Sequence, residues 1–281
     1  MAAAAQEGLI IPLLIGNANK IHAVAKSANI SLANFEIISV PHSHAAASKA
    51  VELARDGKVD ALMKGSLHTD ELMSAVVDHD QGLRTDRRMS HVYVMDVPSY
   101  KWPLLITDAA LNIAPSLVDK LHICQNAIYL AHDLGLPEPK VAILAATEEV
   151  CASMPATIDA AALCKMAERG QIVGGTLDGP LALDNAINAR AAHIKRITSN
   201  VAGDADILVV PCIEAGNMLA KELEYLAAAE AAGIVLGARV PIILTSRADN
   251  ACARMASAAL AILTVVGEKA RKATKNPAGL D

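Results

Sequence analysis

Short runs dense in isoleucine, valine and leucine recur along this chain. They fall at Leu9 to Ile15, Phe35 to Val40, Ala61 to Lys64, His91 to Asp96, Leu104 to Asp108, Val141 to Ala145, Ile172 to Thr176, Ile207 to Pro211 and Ile234 to Thr245. The stretches between them suit helices of roughly 10–15 residues. A strand that is apolar at successive positions is buried on both faces, and such strands belong to parallel sheets covered by helices on either side. The pattern predicts an α/β chain built on parallel sheets. With 281 residues, 53% hydrophobic and 20% charged, the chain can bury the core of one large domain or two ordinary ones.

In such sheets ligands bind beyond the carboxyl ends of the strands, so the turns there are where chemistry is sought. The run Val240 to Leu244 leads straight into Thr245-Ser246-Arg247-Ala248-Asp249-Asn250, and Ala251 to Val266 then reads as one apolar helix. Ser246 and Arg247 therefore sit where free backbone N–H groups and the positive end of a helix dipole converge. A guanidinium there suits a phosphate-like oxyanion, because two parallel N–H bonds and the dipole act on one spread charge. The plainer reading is that Asp249 or Asn250 only caps the helix.

Lys64-Gly65-Ser66-Leu67-His68-Thr69-Asp70-Glu71 has the same grammar, with a glycine that admits a ligand to the backbone and Thr69 either a donor or a cap. Gly82-Leu83-Arg84-Thr85-Asp86-Arg87-Arg88 gathers three arginines before the strand that opens at His91. Asp108 follows another strand. Around Gly174 to Asn185, Pro180 is expected at the first position of a helix with Asp178 just ahead of it. Ile213-Glu214-Ala215-Gly216-Asn217 is a further strand-to-helix turn.

Several classes of function lose support. Aromatic residues are 2% of the chain, with Trp102 and Phe35 single, and the formal net charge is -5, which leaves little to stack on or attract nucleic acid. His42-Ser43-His44 is the one close histidine pair and lacks a third ligand at metal-binding spacing, so it reads as a helix-opening turn and no metal is expected. Neither a Walker loop, a G-x-S-x-G elbow nor a G-x-G-x-x-G after the first strand is present. Five cysteines without a C-x-x-C pair look like reduced residues of a cytoplasmic protein. The apolar stretch of the last helix is short for a bilayer.

Taken together, Lys64-Gly65 with Thr69, Gly82-Leu83-Arg84-Thr85, Thr107-Asp108-Ala109-Ala110-Leu111-Asn112, Asp178-Gly179-Pro180-Leu181-Ala182-Leu183-Asp184-Asn185, Ile213 to Leu219 and Thr245-Ser246-Arg247-Ala248-Asp249 resemble the phosphate acetyltransferase and phosphate butyryltransferase family. The likeness runs from about Leu9 to Val266. It points to the butyryltransferase-like branch, including the acyltransferase part of proteins fused to an enoyl-CoA hydratase-like domain.

The resemblance implies two parallel-sheet α/β domains with a cleft between them, like isocitrate and isopropylmalate dehydrogenases, in a homodimer. Residues 1–136 with 237–281 are expected to form the first domain and residues 137–236 the second. The implied reaction exchanges a short acyl group, acetyl or butyryl, between CoA and phosphate, which are substrates, with no cofactor. It assigns Ser246, Arg247 and Asp249 to catalysis, and Thr69, Arg84, Asp108, Asp178 and Asn217 to substrate binding. Acetyltransferases of the family carry an Asp seven residues beyond the serine, where this chain has Ala253; Asp249, Asp108 and Asp178 are then the candidate bases. Family members usually have another strand and helix before the stretch matching Leu9 to Ile15. Two other functions fit parts of the pattern: a metal- and nucleotide-dependent dehydrogenase of similar fold, and a non-enzymatic module that binds a small anion.

Overall fold

The structure, a computed structural model, describes residues 1–100, 103–244 and 250–275. The chain divides into two compact units, Met1–Arg87 with Gly237–Lys269, and Arg88–Leu236 with Ala270–Asp281. The chain returns to the first unit at Gly237. The crossing expected near Pro137 falls between a helix and a strand of the second unit, and the chain leaves the first unit at Arg87.

The first unit begins with α1 (Ala2–Gln6), β1 (Leu13–Gly16), α2 (Ala18–Ser27), β2 (Glu36–Ser39), α3 (Ser43–Arg55), β3 (Leu62–Met63) and α4 (Thr69–Val76). β1 starts just past Pro12, which has no N–H to give to a ladder, and pairs in parallel with β2 from Leu13–Glu36 to Gly16–Ser39. Asn17 caps α2 by accepting from the Lys20 amide at 3.1 Å. α3 and α4 bury Ala47, Val51, Leu53, Leu72 and Val76.

The second unit contains β4 (Ser90–Asp96), β5 (Leu104–Thr107), α5 (Leu117–Asp133), β6 (Lys140–Leu144), α6 (Pro155–Glu168) and β7 (Thr176–Leu181). After these come α7 (Leu183–Ile187), α8 (Ala189–Ile194), β8 (Ile207–Val209), α9 (Ile213–Leu226) and β9 (Glu230–Leu236). Its strands lie in the order β9-β4-β5-β8-β6-β7. β5, β8, β6 and β7 are parallel, so their carboxyl ends share one edge. β4 departs from the all-parallel expectation by running antiparallel to both β5 and β9. The connection from Asp96 to Leu104 is too short for the crossover that a parallel pair needs. Ile106, Ala142, Leu208 and Val210 lie at the centre of the core.

The first unit is completed by β10 (Ile242–Ile243), which pairs in parallel with β3, and by α10 (Ala251–Lys275) through Lys269. α10 buries Ser257, Ala258, Leu260, Ala261 and Thr264, one helical stripe. Among the described residues it is also the one helix long and apolar enough by composition to cross a membrane.

Three local expectations give way. The apolar stretch from Ile234 to Thr245 is not one strand: Gly237, at φ 87°, separates β9 from β10. The segment Leu226 to Ala232, whose alanine-rich composition favours helix, leaves α9 at Leu226 and enters β9 at Glu230, because sheet pairing overrides alanine's helix preference. The strand expected at Ile172 to Thr176 is instead β7, from Thr176 to Leu181, and Pro180 lies inside it rather than opening a helix. β7 ends the strand order beside a bulge at Ala142/Leu144, a place where a missing N–H is tolerated.

Candidate active site

The carboxyl end of β5 is the most completely built turn. Asp108 is 2% exposed, and its carboxylate accepts from five donors. Oδ1 takes the amides of Ala110 and Leu111, both at 2.9 Å, while Oδ2 takes the amides of His91 at 3.2 Å and Asn112 at 3.3 Å, and Asn112 Nδ2 at 2.5 Å. A carboxylate so placed satisfies backbone groups that burial would otherwise leave bare. Thr107 Oγ1 adds a bond to the His91 carbonyl at 2.9 Å, which ties the end of β5 to the start of β4.

Asn112 continues the network. Its amide nitrogen donates to Asp108 and to the Met89 carbonyl at 2.9 Å, so its oxygen faces Arg88, whose Nε donates to it at 2.8 Å. The Arg88 side chain is 55% exposed, and its Nε lies 3.6 Å from Asp119 Oδ1. Asp119 is itself occupied in the capping box of α5, accepting from the Ser116 amide and hydroxyl. Burial opposes ionisation of Asp119, but the Ser116 donors and the Arg88 guanidinium outweigh it and hold the carboxyl below its ordinary range.

His91 is the buried neighbour of this turn. It is 1% exposed, and its Nδ1 has no hydrogen-bond partner among the described residues. Burial pushes its pKa down to about 4 against the opposing pull of Asp108, so the ring is neutral at pH 7. It packs edge-on against Tyr93 with centroids 4.4 Å apart.

Asn217, in the first turns of α9, reaches back to the same place and donates to the Ala109 carbonyl at 3.3 Å. Gly216 makes that approach possible. A Cβ there would stand 2.9 Å from the Asp108 carbonyl oxygen and 2.7 Å from Val210 Cγ2. Asp108 and Asn217 are thus brought together.

Asp178 is not with them. It lies in β7 opposite Ala142 of β6, three strands from β5, which amounts to roughly 14 Å at the usual strand spacing. Its Oδ1 accepts from the Gly179 amide at 2.9 Å. On the next helix Asn185 is fully buried and donates to Glu148, the carboxylate beyond β6. Lys195 bridges Glu148 at 2.6 Å and Asp184 at 3.3 Å, and its bond is the main reason the Glu148 carboxyl is held low.

In the first unit the turns after β2 and β3 are joined by Glu71. It accepts from Ser43 Oγ at 2.6 Å and from the His68 amide at 2.9 Å, and His44 Nε2 lies 3.4 Å away. His42 opens α3 by accepting from the Ala45 amide at 3.1 Å, as a helix-opening turn should. α4 starts at Thr69 with His68 in the capping position, so Thr69 is not the cap, and its side chain is exposed. Arg84 is exposed too, and its backbone bridges Ala238. Ser246, Arg247 and Asp249 lie outside the described residues. Just after them, Asn250 caps α10 by accepting from the Ala253 amide at 2.8 Å. Among the described residues no group of three or more His, Cys, Asp or Glu side chains is placed to hold a metal ion.

Asn112, His91 and Gly216 lie in quoted motifs or strands, but nothing in the sequence gave them a role of their own. Arg88 stood within a recognised arginine cluster, but nothing in the sequence distinguished it from Arg84 and Arg87.

Residues 42–262 match the family described as "phosphate acetyl/butaryl transferase". The chain belongs to the phosphate acetyl/butyryl transferase family. It is 60% identical to a phosphate acetyltransferase of Rhizobium meliloti over 95% of this chain and 84% of that protein. It is 42% identical to a phosphate butyryltransferase of Clostridium beijerinckii over 95% of this chain and 88% of that one. A branched-chain phosphotransacylase from Enterococcus faecalis V583 superposes with a TM-score of 0.79 at 30% identity, covering 91% of this chain and 99% of that structure. The mixed, mainly parallel α/β architecture is therefore shared with a solved phosphotransacylase.

Proposed function

We propose that this protein is a phosphate acyltransferase that exchanges a short acyl group between CoA and inorganic phosphate. The observation that carries this reading is the 60% identity to a phosphate acetyltransferase along 95% of the chain. Four relatives named phosphate acetyltransferase at 56–60% identity favour acetyl as the group transferred, although another of that name, from Thermotoga maritima, stands at 42%, within the 42–46% of those named phosphate butyryltransferase. The butyryltransferase-like branch and the kinship with enoyl-CoA hydratase fusions stand as the competing placement. The dehydrogenase-like, two-domain cleft and the homodimer belong to the same reading, as does a cytoplasmic location.

In the direction that uses acyl phosphate, the CoA sulfur attacks the acyl carbon, the C–O bond to phosphate breaks, and the thiol proton ends on the departing phosphate as HPO4²⁻. The chemistry needs donors for the tetrahedral oxyanion and cations for the phosphoryl oxygens. Ser246 is assigned to the carbonyl or phosphate oxygen and Arg247 to phosphate. Asn217 and Thr69 are assigned as neutral donors, and Arg84 as a second cation.

A thiol titrates near 8.5 and an ordinary Asp near 3.9, so transfer to a carboxylate is uphill by about 6 kcal/mol. The leaving phosphate is the better final acceptor, and a chain with Ala253 in place of Asp keeps a route for the proton. Asp249, whose capping duty Asn250 already performs, is the carboxylate best placed in sequence to relay it. Asp108 has its acceptors committed to its own turn, and Asp178 lies away from that turn, so neither is favoured as the relay.

The test is the appearance of thioester absorbance when the protein is mixed with CoA and either acetyl or butyryl phosphate. Faster turnover of acetyl phosphate is expected. Faster turnover of butyryl phosphate places the chain in the butyryltransferase-like branch, and no turnover of any short acyl phosphate overturns the reading.

A further inference from the structure

The network around Asp108 ends in a group that the motifs did not single out. Asn112 is 4% exposed, and both hydrogens of its amide are spent on oxygens, Asp108 Oδ2 and the Met89 carbonyl. Its orientation is therefore fixed, with the oxygen turned to Arg88 Nε at 2.8 Å. The guanidinium is held at its inner nitrogen by a buried and fully committed partner. Neither of its two outer nitrogens has a hydrogen-bond partner among the described residues.

Placement gives the group a use. Arg88 lies two residues before β4, and β4 runs antiparallel to β5 with Val92 opposite Thr107, so Arg88 belongs to the edge of the sheet where β5, β8 and β6 end. A guanidinium fixed at Nε presents its outer amines as a preorganised fork, and the oxyanion that fits such a fork bidentately is a phosphate or carboxylate. The carboxylate beside it, Asp119, comes nearest at Oδ1, 3.6 Å from Nε, and its Oδ2 accepts from Ser116, so it offsets part of the charge without a hydrogen bond to the fork.

We propose that Arg88 is a substrate-binding residue whose guanidinium, positioned by Asn112 and through it by Asp108, grips a phosphate group of the substrates. This inference rests on the phosphate acyltransferase reading. The phosphate is either the transferred phosphoryl group or the 3′-phosphate of CoA. The two share oxyanion chemistry and differ in which Michaelis constant they govern.

The experiment compares the full chain with Arg88→Gln and Arg88→Lys, measuring kcat and KM for acetyl phosphate and for CoA, together with the thermal midpoint. Loss of a charge-assisted bidentate contact should raise one KM by roughly tenfold to a hundredfold. Arg88→Lys, which keeps the charge but loses the Nε bond to Asn112, should fall between wild type and Arg88→Gln. A rise confined to acetyl phosphate assigns the transferred phosphoryl group. A rise confined to CoA, and absent with dephospho-CoA, assigns the 3′-phosphate.

Two KM values within twofold of wild type overturn the proposal, as does a lower thermal midpoint with only kcat reduced. If wild type turns over no acyl phosphate, the activity reading fails, and Arg88 is then judged by calorimetry with inorganic phosphate. Weaker binding by Arg88→Gln than by wild type supports the proposal, and equal or no binding overturns it.

Discussion

The turns that follow β5 and β3 have the same grammar in sequence, a strand running into polar residues and then a helix, yet they are built in opposite ways. After β5, Asp108 and Asn112 are almost wholly buried, and five donors converge on one carboxylate. After β3, Ser66, His68 and Thr69 are exposed, and the organising carboxylate, Glu71, sits one helical turn further on with its side chain 18% exposed. The first turn is scaffold, because breaking it strands buried donors. The second leaves the Ser66 and Thr69 side chains exposed to solvent. Polar residues at a strand end therefore mark an address, and burial decides whether they hold the fold or meet a substrate.

If the contrast is real, Asp108→Ala has the largest effect on stability. Removing the acceptor from buried donors should cost roughly 3–5 kcal/mol in denaturant unfolding, and a loss below about 1 kcal/mol would place Asp108 among the exposed polar groups instead.

His91 sharpens the contrast through pH. Its pKa falls from 6.5 unfolded to about 4 folded, so the unfolded state takes up the proton first. Its stability contribution is intact above pH 6.5 and drains away as pH falls toward 4, by about 3 kcal/mol. His91→Phe should flatten that part of the stability-pH curve, and an unchanged slope would show that the imidazole does not carry it.

Gly216→Ala tests the packing of α9 on the same turn. Against a gain of about 1 kcal/mol in helix preference stands a Cβ pressed to 2.9 Å from a backbone oxygen, and a net loss of about 1–3 kcal/mol is expected. A stabilised variant would mean that α9 and the turn can move apart.

The smallest effect belongs to the solvated side. The Ser43 hydroxyl and the His68 amide hold the Glu71 carboxyl below its usual 4.5, so its contribution is present above that pH and is lost as pH falls through the lower folded value. Glu71→Gln should narrow its difference from wild type on acidification. A gap that widens toward low pH would contradict the sign.

How legible each feature was in the sequence follows from what it depends on. Most strands and the turns that close them are local, read from apolar runs that stop at polar residues. β4's direction, β7's displacement past Thr176 and the break at Gly237 depend on which strands become neighbours, which no window of sequence contains. The pairing of Asp108 with Asn217 was foreshadowed by two motifs lying at strand ends. Asp178 shared the motif signal but falls on another strand of the sheet. Arg88 looked like any charge in a surface cluster, because what sets it apart is the buried amide of Asn112, twenty-four residues further along the chain.

The most direct test of the whole account is the rate of acetyl-CoA formation from acetyl phosphate and CoA, measured for the wild-type chain beside Ser246→Ala. Turnover by wild type is expected, with a loss of roughly tenfold to a thousandfold in the variant, the range for removing one donor to a developing oxyanion. An inactive wild type, or a variant as fast as wild type, would contradict it.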